Sequence, residues 1–272
     1  MARRTKEVSL KKAFLILLAV VCWPFGGMLF SIPFGHRLGW VLYFAVQIYG
    51  VIAWVRWNSV DARQTRAGKW AEKEVARHLR RIASRCNGVV LNNLLLVVNR
   101  DRPDEFSMEL DHLLITPHNV FVVESKHRTG TIWVKDDARE WEVRTAQRSS
   151  RMRNALVQVK NTCRQLNRFF DAPYDAIPVV AIASKQGTVE IQGGISNVVT
   201  PDRLDALVTA FDRTYEGRQV DVKRVAAEFA ARHDNSTEAR DKHIKRALAA
   251  QQKSEAERER SEASATVKGA SL

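Results

Sequence analysis

Two long uncharged runs open the chain, and behind them hydrophobic residues recur at shorter intervals. Residues 13–34 contain no charged side chain, and residues 38–55 form a second uncharged run behind a break at Arg37. A helix of about 20 apolar residues is long enough to span a bilayer. The pattern therefore predicts a transmembrane hairpin over residues 13–57, with helices at 13–34 and 38–55, behind a basic N-terminus, residues 1–12.

Two other interpretations of the uncharged runs stay open. A signal peptide would explain the first run, but that run is long, a second follows it directly and no small-residue cleavage site stands out. A hairpin buried in a protein core is the other alternative. Pro24 and Pro33 would kink the first helix or make it re-entrant, because proline interrupts the helical hydrogen-bond ladder.

The charges around the two runs predict the orientation of the hairpin. Five lysines and arginines precede the first run, four more follow the second run by residue 69, and the turn between the runs carries only Arg37. Flanks rich in lysine and arginine stay in the cytoplasm. We therefore expect a multi-pass protein of the inner or plasma membrane, held in the lipid bilayer by two helices, with a cytoplasmic catalytic domain.

A helical period begins behind the second run. Val75, Leu79 and Ile82 follow Glu72 at intervals of three, seven and ten residues, which places all four on one helix face. Glu72 is thus an acid on an otherwise apolar face, whereas Glu74 points about 200° away from it. The carboxylate of Glu72 is either a first-turn acid that interacts with the helix dipole or a functional group.

The most informative pattern is a predicted β-hairpin over residues 109–126. Two apolar runs, residues 113–115 and 120–123, flank a four-residue turn that contains proline and asparagine. Short apolar runs on either side of such a turn are typical of paired strands. Folding the hairpin about the turn pairs Ile115 with Val120.

Charged side chains lie at the ends of these two predicted strands. In this register Asp111 lies opposite Glu124, and Lys126 lies on the same face. Carboxylates at the ends of strands this apolar are costly to bury unless they are paired or hold a metal. Two alternatives stay open: an ion pair at the domain surface, and a register shifted by one residue, which would turn Asp111 to the other face.

The remaining pattern mixes helices and strands, which predicts an α/β domain over residues 65–215. Two apolar runs near residue 90 indicate a strand pair or one bent strand, and a second hairpin follows the first. The later predicted elements are a helix over 151–170, a strand over 177–182, a short strand at 198–199 and a helix that starts at Pro201. Residues 216–272 predict a charged helical tail that frays into a disordered end.

The charge of the chain indicates a polyanionic partner. Its formal net charge is +13, and six lysines and arginines against one glutamate in residues 1–55 leave +8 for the rest. Such an excess suits nucleic acid or an anionic membrane surface. Part of it lies on the helix predicted over 151–170, where basic residues form either a solvated face or a contact for phosphates.

Cysteine and histidine spacing argues against a disulfide framework and against a zinc site. Cys22, Cys86 and Cys163 lie far apart, and no two histidines have the H-x-x-x-H spacing. Any metal would be held by oxygen ligands, which points to Mg²⁺ or Mn²⁺.

Several motifs occur together in one order between residues 68 and 170. They are G-x-x-A-E-x-x-V-x-x-x-L at 68–79, E-L-D-H-L-L-I at 109–115, F-V-V-E-S-K at 121–126 and N-A-L-V-Q at 154–158. In this combination the segment resembles the nuclease-related domain (NERD) family, a branch of the PD-(D/E)xK nucleases. The family usually has glycine where Ala71 stands and proline where Ala155 stands, which affects the shape of the loops more than the chemistry.

The resemblance implies an α/β, restriction-endonuclease-like PD-(D/E)xK core that carries the N-terminal transmembrane hairpin and the charged tail. It also implies a metal site. Asp111 and Glu124, together with the carbonyl of Ser125, would bind Mg²⁺ (or Mn²⁺). The ion would acidify a bound water and stabilise charge at the scissile phosphate.

Three further side chains receive roles from the resemblance. Lys126 would position the attacking water or neutralise the developing charge. Glu72 would orient the water shell of the metal, and Gln158 would align the water or the phosphate. Glu109 and the histidines at 112 and 127 are interpreted as structural or surface residues.

The expected function is a metal-dependent endonuclease or exonuclease that acts on DNA at the cytoplasmic face of the membrane. Three alternatives stay open. The first is a nucleic-acid-binding module that no longer cuts. The second is a membrane-tethered scaffold for DNA transfer or defence machinery, and the third is a nuclease that acts on RNA.

Overall fold

The computed structural model describes residues 36–249 and residue 252, with residues 101, 103–104, 171–174 and 186 left out. The predicted first span, residues 13–34, and the basic segment 1–12 lie outside the described residues. The chain divides into two compact units, Met1–Arg66 and Ala67–Leu272.

The first unit contains helix α1, His36–Asn58, which covers the second predicted span. Many of its large apolar side chains are exposed, among them Val41, Ile48 and Tyr49. Within the described part of the chain, no helix combines the length and the apolar character needed to cross a membrane. The transmembrane hairpin therefore stays a prediction.

The second unit contains a five-stranded main sheet with the strand order β1-β2-β3-β7-β9. Its strands are β1 (Val89–Val98), β2 (Phe106–Ile115), β3 (Val120–His127), β7 (Ile177–Ala183) and β9 (Val198–Val199). The first three strands are antiparallel neighbours joined by short connections, whereas β7 runs parallel to β3. A parallel neighbour needs a long crossover, and the segment between β3 and β7 supplies it.

That crossover contains a helix and three of the four strands of a second sheet, whose fourth strand follows β7. The second sheet has the order β6-β5-β4-β8. Its strands are β4 (Gly130–Trp133), β5 (Glu140–Arg144), β6 (Ser149–Arg153) and β8 (Val189–Gln192), and helix α3 (Ala155–Phe169) follows β6. Gly130 has φ = 101°, and a Cβ there would lie 2.1 Å from the backbone oxygen of Arg144. Only glycine therefore fits at the point where β4 begins.

Apolar side chains cover both faces of the main sheet. On one face, helices α2 (Val60–Cys86) and α4 (Leu204–Thr214) pack against residues such as Phe121 and Val179. On the other face, α3, α5 (Val222–Arg232) and the second sheet pack against Leu113 and Val122. Burial on both faces explains why the central strands are almost continuously apolar.

The predicted elements in and after the crossover differ from the structure at one helix start and by two missing strands. The helix predicted over 151–170 begins at Ala155, because residues 149–153 form edge strand β6. In β6 only Met152 is buried, so the strand shows no apolar alternation that the sequence could reveal. Strand β8 was not predicted either. The two runs near residue 90 form one strand, in which Asn93 has φ = 53° and interrupts the pairing.

The C-terminal segment is helical, as predicted, but it is not wholly solvated. Residues 237–249 form a helix. His243 Nδ1 lies 3.0 Å from Ser107 Oγ, and Arg246 makes a 2.6 Å ion pair with Glu105. These polar contacts hold the helix near the start of β2, although little apolar surface is available there.

Candidate active site

The β2–β3 hairpin has the predicted register. Ile115 pairs with Val120 and Leu113 with Val122, and the recorded pairing ends at His112 and Val123. Beyond that point the Asp111 side chain continues the contact between the strands, because the Ser125 backbone N–H donates to its Oδ2 at 2.8 Å.

Three polar side chains at the end of β3 contact one another. Lys126 Nζ lies 2.5 Å from Glu124 Oε1 and donates to Gln158 Oε1 at 3.2 Å. Gln158 Nε2 in turn donates to the same Glu124 oxygen at 2.8 Å. Glu124 and Lys126 lie two residues apart on one strand and so share the face that α3 covers. The structure thus brings β3 and α3 together at this point.

Asp111 carries a charge that its surroundings disfavour. The pKa of Asp111 is raised to about 7, chiefly by burial and then by the nearby carboxylates of Glu124 and Glu72, while the Ser125 N–H and Lys126 act in the opposite direction. The lysine and the hydrogen bonds therefore only partly compensate the negative charges gathered here.

Glu72 and Glu74 have different surroundings. The charge of Glu72 acts on Asp111, so the middle of α2 lies near the carboxylate pair. Glu74 accepts a 3.0 Å hydrogen bond from Arg77 and lies 3.3 Å from His78 Nε2. Glu74 is therefore occupied by neighbours on its own helix.

A buried histidine holds the segment of β3 that carries the site. His112 is 1% exposed, and its Nδ1 lies 2.7 Å from Asn92 Oδ1 while its Nε2 lies 2.8 Å from Ser125 Oγ. Since the amide oxygen can only accept, Nδ1 donates to it and Nε2 accepts from the serine hydroxyl. The pKa of His112 is lowered to about 4, chiefly by burial and to a smaller extent by the charge of Arg80. The neutral imidazole thereby holds Ser125, whose N–H holds Asp111.

The oxygen atoms at this point suit a hard cation. Carboxylate and carbonyl oxygens are the ligands that Mg²⁺ and Mn²⁺ prefer. Burial and the neighbouring carboxylate of Glu124 raise the pKa of Asp111, and a bound cation would act in the opposite direction. Among the described residues, no group of three or more His, Cys, Asp or Glu side chains is arranged to hold a metal ion. A site here would thus depend on two carboxylates and a main-chain carbonyl.

A comparison with protein families gives a match over the segment that contains this site. Residues 67–184 match the sequence model of the nuclease-related domain. This segment of the chain is similar to a nuclease-related domain. The match includes all six residues to which the sequence assigned roles, namely Glu72, Asp111, Glu124, Ser125, Lys126 and Gln158.

Other comparisons add little. No curated protein matches the chain. Among solved structures, the crystal structure of protein VC1899 from Vibrio cholerae is similar at 14% identity, with a TM-score of 0.31. The similarity covers 58% of this chain and 37% of that protein, so the chain spans well under half of its length.

The structure places two further residues near the site, His112 and Asn92, which the sequence did not indicate. His112 was interpreted as structural or surface, and Asn92 was not singled out. A signal for His112 existed: a histidine inside a strand buried on both faces needs hydrogen-bond partners. No comparable signal marked Asn92, since its partner lies on the neighbouring strand.

Replacement of Asp111 by asparagine should stabilise the metal-free protein at alkaline pH. The folded-state pKa of about 7 lies above the ordinary value of 3.8 for an aspartate, so native stability falls as pH rises between these values. At pH above about 7, Asp111→Asn should raise the thermal midpoint by roughly 2–4 °C, the effect of about 1 kcal/mol in a domain of this size. The gain should vanish near pH 4.

Thermal unfolding in EDTA with Asp202→Asn as control tests this expectation. Asp202 is an exposed carboxylate at the start of the segment before α4, and its replacement should leave the midpoint unchanged. A lower midpoint for Asp111→Asn at alkaline pH would show that the carboxylate stabilises the fold.

The two neighbouring glutamates on α2 should differ in their effect on activity. Glu72→Gln should reduce any metal-dependent cleavage by at least about tenfold, because its charge lies near Asp111. Glu74→Gln should have little effect, because Glu74 contacts Arg77 and His78. Initial rates with both variants and the wild type measure the difference, and the reverse order would exclude Glu72 from the site.

Proposed function

We propose that this protein is a metal-dependent nuclease that hydrolyses phosphodiester bonds, with DNA as the favoured substrate. The observation that carries the proposal is the contact of Glu124, Lys126 and Gln158 beside Asp111, inside a nuclease-related domain. The net charge of +13 supports a polyanionic substrate.

The metal-binding part of the proposal rests on the oxygen ligands. Asp111 and Glu124, with the carbonyl of Ser125, would hold Mg²⁺ or Mn²⁺. When bound there, such an ion supplies a Lewis acid for the phosphate and lowers the pKa of a coordinated water. The hydrogen bond from the Ser125 N–H orients the Asp111 carboxylate, and the His112 contact with the Ser125 hydroxyl holds that segment of β3 in place.

Lys126 and Gln158 act on the substrate side of the carboxylates. Lys126 carries the positive charge nearest to Glu124, so its ammonium group is placed to neutralise charge that develops on a phosphate oxygen. Gln158 donates to Glu124 and accepts from Lys126. It therefore sets the position of both groups, and it has an amide available to align a phosphate once Lys126 turns to the substrate.

A second candidate function is nucleic-acid binding without cleavage. The observation in its favour is that Lys126 occupies Glu124 at 2.5 Å. In addition, the part of the chain that the structure describes holds no group of three or more ligating side chains. Such a module would bind nucleic acid with steep salt dependence but would not cut it.

We also propose that residues 13–55 anchor the protein in the inner or plasma membrane, with the nuclease-related domain on the cytoplasmic face. The uncharged run over 13–34 and the basic residues on both flanks support this. The exposed apolar side chains of α1 also need a nonpolar environment, since large exposed apolar patches mark contact surfaces.

Replacement of a carboxylate or the lysine should abolish cleavage without unfolding the protein. Purified protein incubated with supercoiled plasmid in Mg²⁺ should nick it, and EDTA should stop the reaction. Asp111→Asn and Lys126→Ala should each lower the rate by at least about 100-fold, because both groups act on the metal, the water or the phosphate.

Metal binding provides a readout that does not depend on cleavage. Mg²⁺ should raise the thermal midpoint of the wild type and of the Asp202→Asn control but not that of Asp111→Asn, because a ligand that binds only the native state stabilises it. Equal nicking by wild type and Asp111→Asn would contradict the nuclease assignment. Strand binding without any nicking would favour the second candidate.

The topology proposal predicts opposite locations for two reporter fusions. A reporter fused after Gly35 should lie outside the cytoplasm, and one fused after Arg66 should lie inside, because two spans return the chain to its starting side. Paired reporters that are active on opposite sides of the membrane serve as mutual controls. A non-cytoplasmic reporter after Arg66 would contradict the proposal and separate the domain from intracellular substrates.

A further inference from the structure

A cleft of about 1440 Å³ lies beside the candidate active site. Its lining comes from the outward face of the second sheet, from the β4–β5 turn and from the first turns of α3, including Gln158. Gln158 also contacts Glu124 at 2.8 Å, so the cleft adjoins the contact of Glu124, Lys126 and Gln158. Its volume exceeds the range of about 300–1,000 Å³ that is usual for small-molecule pockets, which suits an extended ligand.

The cleft is formed in advance of any ligand. The buried Asn154 side chain donates to the backbone oxygens of Lys135, Asp136 and Ala138 at 2.7–3.1 Å. Its Oδ1 accepts the backbone N–H groups of residues 156 and 157 at the start of α3. One side chain thus fixes the β4–β5 turn to the helix that carries Gln158.

Exposed cations line this cleft. Lys135, Arg139, Arg151 and Arg153 all contribute to it. Arg151 lies 3.9 Å from Glu140, whereas in the described part of the chain no carboxylate lies within ion-pair distance of the other three. Cations with no carboxylate in contact at the edge of a nuclease-related site are suited to phosphate groups.

The cleft also contains hydrogen-bond acceptors that a bare phosphate backbone would not use. Glu142 accepts from Arg144 and Ser149, and the hydrogen bond from Arg144 lowers the pKa of Glu142. Glu140 and Asp137 are exposed in the same cleft. Carboxylates accept hydrogen bonds from the amino groups of bases, but they repel phosphates.

An aromatic ring lies on the same face of the sheet. Trp133 is paired with Glu142 on β5 and is half-buried in the cleft, and the Arg144 guanidinium lies 4.9 Å from its ring centre. Aromatic and guanidinium planes stack on bases that are not held in a duplex. The cleft is thus lined by cations, by hydrogen-bond acceptors and by the Trp133 ring with the Arg144 guanidinium over it. This lining suits a ligand that presents phosphates and base edges together.

We propose that this cleft binds a single, unpaired strand of nucleic acid and leads it to Gln158 and Lys126. Phosphates contact Lys135, Arg139 and Arg153, while unpaired bases face Trp133 and the carboxylates. A duplex offers its outer surface as phosphates and keeps its base edges inside the grooves, so it uses only part of this lining. Binding of the strand in the cleft does not depend on the proposed nuclease function. Only its cleavage near Lys126 does.

Binding of short labelled strands to the full-length protein in EDTA tests the proposal without cleavage. Fluorescence anisotropy compares a fluorescein-labelled single strand with a duplex of the same sequence, for the wild type and two charge-matched variants. One variant is Arg139→Glu with Arg153→Glu, in the cleft. The control is Arg203→Glu with Arg213→Glu, two exposed arginines before and on α4, in the layer on the other face of the main sheet.

The wild type should bind the single strand at least about tenfold more tightly than the duplex. The cleft variant should weaken that binding by at least about tenfold and reduce the salt slope by about 1.4, at about 0.7 per lost phosphate contact. The control variant should leave both unchanged. Photo-crosslinking of a strand with a reactive base to the wild type should label peptides within residues 131–153.

Equal affinity for strand and duplex, equal losses in both variants, no measurable binding, or crosslinks only outside the cleft would each overturn the proposal. Circular dichroism of both variants confirms that a loss of binding is not a loss of folding. Tight binding of the strand in the cleft without Mg²⁺-dependent cleavage would contradict the nuclease function but support the cleft assignment. Full cleavage by both variants would support the nuclease function but contradict the cleft assignment.

Discussion

Burial of strand β3 on both faces is the constraint on which the rest of the structure depends. Phe121 and Val123 face α2 and α4, while Val122 faces α3 and the second sheet. A strand enclosed in this way cannot hydrate its polar residues, so each one needs a partner within the protein. The partners come from β2 and from α3.

The candidate site is therefore held by hydrogen bonds and ion pairs among polar groups, some buried and some partly exposed. Ser125 N–H contacts Asp111, the Ser125 hydroxyl contacts His112, and Glu124 contacts both Lys126 and Gln158. The raised pKa of Asp111 shows that compensation is incomplete. Partly buried carboxylates held close together are typical of functional sites.

The second sheet links this site to a binding surface. Its inward face, with Ile132 and Trp141, belongs to the core, and its outward face carries Trp133, Arg151 and Arg153. Alternation along each strand separates the two sets. Asn154 fixes the β4–β5 turn to α3. The second sheet therefore both completes the core and forms one wall of the cleft next to Gln158.

Local patterns were enough to predict the central hairpin, its favoured register and the grouping of Asp111, Glu124 and Lys126, because strand alternation and turn chemistry are local. Helical periodicity singled out Glu72, and the family resemblance gave Glu72 and Gln158 their roles. Contacts in the folded chain were needed to show that β6 is an edge strand, that His112 bridges Asn92 and Ser125, and that the outward face of the second sheet meets α3 in a cleft. These features depend on contacts between residues distant in sequence, for which no local pattern exists.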